Sequence, residues 1–585
     1  MSNTSSEDPR FGIPEVIEVK RTDPVYMAHA YLTKVPVPAI TPFIEAFTSQ
    51  GDVVLDPFAG SGMTGVAAAA TSRRARLFDV SVLGRHIGTN YVNLVDADQL
   101  RKRASEAVLA AQERLGDVYS VQCRKCGNGA RLVKTIWTVV IACGVCERPV
   151  SFYEAMEEAE WDKARMRCPH CAEQVSSRGR RIEEQPVVDS IACSCSSTQL
   201  EQPWAPHVLA STWDEVEQPN VPIGEDRQMY LASALGRHGL TTTGAFFSRR
   251  NLGVLGALKE ELEDVPEADL RDKLRFAFTA ILTRASKRYQ WSRNRPLNAA
   301  NANYYVAPIF YEWNVFDLFG RKVEAAIKAD DWIRKEHGTG TLFETNDIDV
   351  RYELASADAL PLPENSVDYV FMDPPFGSNI FYSDMNLFQE AWLGEITDPE
   401  QEAVVDRVET GMQRTPERYE RLLTGAFAEC SRVLKPDGAI TIIFGNSSGA
   451  MWALLQRAIA NAGLWVDPEL ITILDKGQRS VKGLASGFEN VATLDLILTM
   501  RPMGTSTALK KEPTTADLDS LIDRLVDDAR ELTPSHVYLD LLRSGFGMNW
   551  DLSSIDLRHI TNRLRAAEHD IDPKTGKLRG NGWPS

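Results

Sequence analysis

The residues best suited to chemistry in this sequence lie in two short stretches far apart along the chain. Asp373-Pro374-Pro375-Phe376 follows the apolar run Val367–Met372, and Asp56-Pro57-Phe58-Ala59-Gly60-Ser61-Gly62 follows Val53-Val54-Leu55. Two prolines directly after a buried strand fix a rigid, extended turn. The carboxylate of Asp373 and the backbone carbonyl of Pro374 then stand as two fixed acceptors. Such a pair suits an amine whose lone pair is delocalised into an aromatic ring. Each acceptor takes one amine hydrogen, and the nitrogen is drawn toward a tetrahedral, nucleophilic state without a metal or a strong base. Phe376 is expected to stack on the face of a base swung out of its helix. The plainer alternative is a proline turn that only ends a strand.

The glycine stretch reads as strand, tight turn, helix. Glycines permit backbone angles closed to other residues and let a ligand approach the main chain. The helix that follows, with Thr64 in its first turn, offers free N–H groups and a positive dipole end, suited to a carboxylate such as that of methionine. Asp79 comes nineteen residues after Gly60, at the end of the next strand, where an acid accepts hydrogen bonds from ribose hydroxyls. A glycine turn of purely structural purpose is the alternative for this stretch taken alone.

Eight of the nine cysteines fall in four close pairs between residues 123 and 195. In a chain without secretory features that spacing reads as metal ligation, not disulfides. Cys123-x2-Cys126 with Cys143-x2-Cys146 matches one four-thiolate zinc site, and Cys168-x2-Cys171 with Cys193-x-Cys195 a second, less regular one. Interleaved pairing stays open, with His170 as a reserve ligand. Four thiolates leave no open position, so both Zn2+ ions are expected to be structural. Cys430 reads as a buried helix residue.

The net charge of −17 argues against a protein that coats nucleic acid nonspecifically. A local basic patch is still present, since no Asp or Glu occurs between Lys273 and Tyr311. Arg284, Lys287, Arg288, Tyr289, Trp291, Arg293 and Arg295 mix cations with aromatics, a composition suited to phosphate contact and base stacking. The alternative is a solvated helix end with two buried rings.

These stretches need elements to position them. The sequence predicts an α/β rhythm over 22–100, which returns at 348, with 43% hydrophobic and 25% charged residues overall. Expected helices are Pro42–Ser49, Met63–Ser72, Gln99–Leu115, Arg250–Leu262, Asp269–Ala285 and Ala450–Ala462. Expected strands include Ala75–Val80, Val367–Met372 and Ala439–Phe444, with a β-like run over Lys134–Cys143. We divide the chain into a flexible lead (1–21), a first half-domain (22–118), a cysteine-rich insertion (119–204), an α-rich insertion (205–344), a second half-domain (345–501), a linker (502–515) and a helical C-terminal module (516–585). The last has ordinary core spacing and no evident function. With no apolar run of membrane-spanning length and a polar, acidic N-terminus, a cytoplasmic location is expected.

Together the two main stretches resemble the cofactor and catalytic motifs of the amino-group (N6-adenine/N4-cytosine) DNA methyltransferases. His29-Ala-Tyr31-Leu-Thr-Lys34-Val-Pro36 is similar to the segment that closes over the methionine end of the cofactor in that family. Ala357-Asp358-Ala-Leu-Pro resembles its third cofactor motif, which implies that Asp358 reaches the adenine amine of S-adenosyl-L-methionine. Arg432-Val-Leu-Lys-Pro-Asp-Gly438 is similar to a later turn of such domains. The resemblance covers about 22–100 and 345–500. It implies a Rossmann-like α/β domain split by a large insertion, with Asp373, Pro374, Pro375 and Phe376 catalytic. His29, Tyr31, Lys34, Asp56, Pro57, Phe58, Gly60, Gly62, Thr64, Asp79 and Asp358 would hold the cofactor. Cysteine pairs in the insertion, with Phe246-Phe-Ser-Arg249-Arg250-Asn251-Leu252 and Glu312-Trp-Asn314-Val, look like the zinc-ribbon-containing adenine-specific methylases. What the resemblance implies is site-specific methylation of double-stranded DNA, at adenine N6 first, in bacterial modification or phage defence with restriction or defence-system partner proteins. Cytosine N4 and RNA bases are the alternatives within the chemistry. A non-catalytic zinc-ribbon DNA-binding subunit is the alternative outside it.

Overall fold

In the computed structural model, residues 12–20, 22–176, 179–206, 218–233, 235–293, 304–337, 348–475, 494–502, 511–527, 533–566, 570–571 and 578–579 are described. Its centre is one large sheet. The strand order is Val16–Glu18, Thr472–Asp475, Leu494–Pro502, Leu434–Phe444, Val367–Met372, Val53–Asp56, Arg74–Asp79 and Val350–Leu354, with Leu464–Val466 pairing beside Leu494–Pro502. The run from Leu434–Phe444 to Val350–Leu354 is parallel throughout. Only Leu494–Pro502 runs against its long neighbours.

Alternation along the strands explains how both faces are covered. Tyr369 and Phe371 join an apolar layer with Val54, Leu77 and helix Val37–Phe47. Val370 and Met372 point the other way, into a layer with helices Pro416–Val433 and Gly449–Asn461. Strands separated by most of the chain meet here: Tyr369 stands beside Val54 and Val370 beside Leu55. Asp368 braces the contact, accepting the Val53 N–H at 2.9 Å and the Lys435 ammonium at 2.5 Å.

Several elements differ from expectation at their ends. The helix expected over Pro42–Ser49 runs instead over Val37–Phe47 and carries Pro42 inside it. Val16–Glu18, read as part of a flexible lead, is an edge strand paired with Thr472–Asp475. Helix Val315–Glu336 was not foreseen. Its N-terminus is capped by Asn314, whose side-chain Oδ1 accepts from the backbone N–H groups of Phe316 and Asp317. Helices Thr515–Asp527, Pro534–Gly547 and Leu557–Ala566 share an apolar core with the second half of the sheet.

A second, six-stranded sheet is built on the long strand Gly129–Ala142, which pairs antiparallel with Arg181–Ala192. Its other edge takes Ser120–Gln122, Ile309–Trp313 and Pro149–Ser151 in turn. A buried polar knot fixes this sheet to the helices. Glu312 accepts from Arg250, from Ser248 and, at 2.9 Å, from Trp137 Nε1. Asn251 donates to the carbonyls of Ala285 and Trp313 at 3.0 and 3.1 Å. The Phe246–Leu252 and Glu312–Val315 motifs therefore hold the second sheet to helix Arg249–Glu263. Among the described residues, no helix is long and apolar enough to cross a membrane.

Candidate active site

The glycine turn and the double-proline turn leave adjacent parallel strands at the same sheet edge and line one cleft of about 1030 Å³, its open mouth included. Gly60 and Gly62 have φ of 48° and 77°, so a side chain at either would be strained. Space is also closed: a Cβ on Gly62 would stand 2.6 Å from the Gly88 Cα, and one on Gly60 would stand 3.2 Å from the Tyr31 ring. Gly62 precedes helix Met63–Ala70 and supplies no side-chain cap, which leaves the first amides of that helix bare.

Two aspartates tie the turn down. Asp56 accepts the Thr64 hydroxyl at 2.5 Å and the Phe58 N–H at 3.0 Å. Burial raises its pKa to about 8, with the two hydrogen bonds opposing the rise and the charges of Asp79 and Asp373 adding to it. Asp79 accepts from Gly60 N at 2.8 Å and Ser81 N at 2.9 Å, and burial pushes its carboxyl upward too. Each oxygen of Asp79 thus already holds one backbone donor and has a further lone pair toward the cleft. Asp358 lies at the exposed rim, 2.5 Å from the Ser356 hydroxyl.

On the opposite wall stand Asp373 and Pro375, with Tyr382, Ser383 and Glu402 beyond them. The double-proline turn is gripped from behind. Tyr419 donates to the Pro375 carbonyl at 2.5 Å, Asn446 Nδ2 donates to the Phe376 carbonyl at 3.1 Å, and Tyr538 donates to the Asn446 carbonyl at 2.9 Å. Glu402 accepts from the Tyr382 N–H at 2.5 Å and the Ser383 hydroxyl at 2.6 Å, and burial raises it to about 7.

Some expected residues are placed otherwise. Phe376, expected to stack on a base, is outside the cleft lining and packs on Phe444 at 5.1 Å. The cleft is lined instead by Phe58, Phe371, Tyr31 beside Gly60, and Tyr382, whose ring is 6.2 Å from that of Tyr31 and nearly parallel to it. Pro374 is buried behind its neighbours. His29 is also off the cleft, its ring between the Ala30 carbonyl at 2.8 Å and Thr279 Oγ1 at 3.0 Å. Lys34 lines the cleft, but its ammonium turns inward to the carbonyls of Tyr26 and His29 at 2.6 and 2.7 Å and to Tyr91. Burial lowers it to about 7. Both residues shape the segment that carries Tyr31. Sequence reading missed Tyr382, Glu402 and Tyr352, whose hydroxyl donates to the Gly60 carbonyl at 2.7 Å. It also missed Gly84 and Gly88, although their G-x-x-x-G spacing on helix Val82–Val92 signals close packing.

The cysteines pair differently from the first expectation. Cys123, Cys126, Cys193 and Cys195 form one group, and Cys143, Cys146, Cys168 and Cys171 the other, with ligand atoms within 4.8 Å of one another in each. The reason is the hairpin: Gly129–Ala142 and Arg181–Ala192 run antiparallel, so the outer pairs meet at one end and the inner pairs at the other. The two ends are roughly 40 Å apart at the usual rise of a strand. His170 belongs to neither group and contacts the Pro149 carbonyl at 3.1 Å.

The basic stretch is largely turned inward, contrary to the expected nucleic-acid surface. Lys287 pairs with Glu184 at 2.8 Å, Arg288 is buried over the Phe388 ring, and Tyr289 is buried. Trp291 packs on Trp161 at 4.6 Å. Arg284 lies across the Tyr289 ring at 4.8 Å, and Arg293 is exposed. Arg295 lies outside the described residues.

An open, mostly parallel sheet with its cleft at the carboxyl ends of adjacent strands is the Rossmann-type arrangement, where such sheets bind their ligands. Comparison with known proteins narrows that class. Residues 11–96 match the N6/N4 methyltransferase family model, described as DNA methylase. Over 42 residues the chain is 55% identical to the Escherichia coli (strain K12) protein YubD, which carries a methylase name; the match spans 7% of this chain and 18% of that protein. Among solved structures, a geranyl diphosphate methyltransferase in complex with GPP and sinefungin aligns with 31% of this chain and 60% of its own, at 12% identity and a TM-score of 0.15, too slight a likeness to argue from. Over residues 11–96, therefore, the chain is similar to the amino-group DNA methylases.

Proposed function

We propose that the protein methylates the exocyclic amine of a base extruded from double-stranded DNA, with adenine N6 as the favoured target and S-adenosylmethionine as donor. The observation that carries this reading is the shared cleft: Asp373 and residues Asp56–Ser61 line it from the ends of neighbouring strands. The donor set fits a cationic ligand. Asp56, Asp79, Asp358, Asp373 and Glu402 all line the cleft, and the ammonium of its one basic lining residue, Lys34, is turned away. Bound S-adenosylmethionine supplies a methyl group on a positively charged sulfonium.

Each of the chain's own residues then has a task. The bare amides at the start of helix Met63–Ala70 hold a carboxylate, and Asp79 and Asp358 hold hydroxyl and amine groups. Asp373 accepts a hydrogen bond from the base amine and directs its lone pair across the cleft. Tyr382 offers its ring to the base, the role first expected of Phe376. Tyr419, Asn446 and Tyr538 keep the turn from moving, so the acceptor needs no reorganisation. The two cysteine groups are proposed to hold one structural Zn2+ each, since four thiolates close a tetrahedral site. Metal analysis finding two zinc ions per chain supports this, and finding none disposes of it.

The test uses donor labelled in its methyl group, duplex DNA of varied sequence, and digestion to nucleosides. Label in N6-methyladenine is expected. Label in N4-methylcytosine moves the target base, and no label in DNA removes the reading.

A further inference from the structure

Beside the main cleft lies a second, smaller cavity of about 460 Å³, mouth included, which shares Tyr31, Leu32 and Asn386 with it. Its walls are mostly apolar: Tyr31, Leu32, Leu83 and Met385. Two long polar side chains also line it, Arg288 from the end of the basic stretch and Gln389 from helix Tyr382–Leu393. Gln389 is only 7% exposed. One end of its amide meets Thr283 Oγ1 at 3.3 Å, and the other, Oε1, is buried with no hydrogen-bond partner among the described residues. A hydroxyl donates or accepts, so turning the amide over leaves the same deficit at its other end. A buried amide end without a partner is unfavourable, and the side chain that carries it lines the cavity, where a polar group could relieve the deficit.

The ligand's chemistry follows from the lining. A phosphate would bring full charge against four apolar walls and an amide oxygen, with one cation to meet it, and burial of charge under those terms is unfavourable. A flat ring with a polar edge fits better. Its faces lie against Tyr31, Leu83 and Met385, while its edge meets an amide and a guanidinium, the two groups that read purine edges most often. Arg288 is held over the Phe388 ring at 4.7 Å, which fixes its plane. Asn386, on the partition between the two cavities, is itself fixed by a hydrogen bond to Ser81 Oγ at 3.1 Å.

We propose that this cavity reads a nucleobase flanking the one presented to Asp373, with Gln389 and Arg288 hydrogen-bonding its edge and Tyr31 standing between the two bases. The proposal rests on the reading of the main cleft as a site for an extruded base. It gives Arg288 and Gln389 a role in sequence choice and none in methyl transfer.

The experiment is selection by binding. The full-length, metal-replete protein is mixed with S-adenosylhomocysteine and a randomised duplex library, and the captured DNA is sequenced. Wild type is expected to select a motif, and Gln389→Leu to lose preference at one position adjoining the target base by about ten-fold or more, with the other positions kept. Thr283→Val, which removes only the group that orients the amide, is expected to relax the same position to a smaller degree, and it carries the test if Gln389→Leu does not fold. An unchanged motif in the variants overturns the proposal. So does a uniform loss of affinity across all sequences with a shallower salt dependence, which is the mark of a phosphate contact. Wild type that selects no motif yet methylates DNA also overturns it while sparing the cleft. A selected motif without any methyl transfer leaves the flanking pocket standing and removes the chemistry.

Discussion

Carboxylates are buried in two regions of this molecule, with opposite results. In the cleft, Asp56 and Asp79 are raised by burial, and the charges of Asp79 and Asp373 add to the rise at Asp56; no cation is set against them. In the knot that joins the second sheet to helix Arg249–Glu263, burial also pulls Glu312 upward, but the Arg250 charge and the hydrogen bonds from Arg250, Ser248 and Trp137 outweigh it and hold the group below its usual value. Lys273 and Asp330 form a further buried pair at 2.7 Å. The contrast separates a cluster that satisfies itself from one that awaits a ligand. The knot satisfies its charge internally and serves structure, whereas burial holds the proton on the cleft's Asp56 and Asp79, which have no counter-ion among the causes that set them.

That contrast can be broken in order of effect. Glu312→Ala leaves Arg250 buried without its counter-ion, and loss of about 3–5 kcal/mol in urea unfolding is expected. A loss below about 1 kcal/mol, the range of an exposed pair, would remove the distinction. Next comes Asp56→Asn. The folded carboxyl titrates at about 8 against an ordinary 3.8, so the folded state holds the extra proton between those values. Stability should therefore fall as pH rises from about 4 to about 8, and the asparagine variant should fall less, as read by denaturant midpoints across that window. Parallel pH profiles for the two proteins would show Asp56 to be paired in a way the geometry lacks. The smallest effect is expected of Tyr538→Phe, which deletes one hydrogen bond to Asn446 behind the double-proline turn. A loss of about 1 kcal/mol is expected, with a few-fold lower kcat and little change in donor KM. An altered donor KM with kcat intact would place Tyr538 with the glycine turn instead.

Legibility in the sequence followed how local each feature is. The glycine turn and the Asp373 turn were readable because strand, turn and chemistry are adjacent in the chain, and the strands Val53–Asp56 and Val367–Met372 lie where the apolar runs place them. The pairing of the cysteines was not, since it depends on a long antiparallel hairpin whose register no single pair reports. The basic stretch misled for a related reason: its absence of acids holds only along the chain. Glu184, Phe388 and Trp161, which occupy Lys287, Arg288 and Trp291, come from distant segments. Phe376 likewise read as a stacking ring because its partner Phe444 arrives from another strand. Tyr382 opens a helix and carries no local pattern that sets it apart.

The central claim is that Asp373 acts on the base amine while the glycine turn holds the donor independently. Asp373→Ala, assayed for donor binding by titration and for methyl transfer to DNA with labelled donor, tests it most directly. The account predicts donor affinity within a few-fold of wild type and transfer reduced at least about a thousand-fold, as expected when a group that orients and activates the reacting amine is lost. Transfer at the wild-type rate in that variant would contradict it.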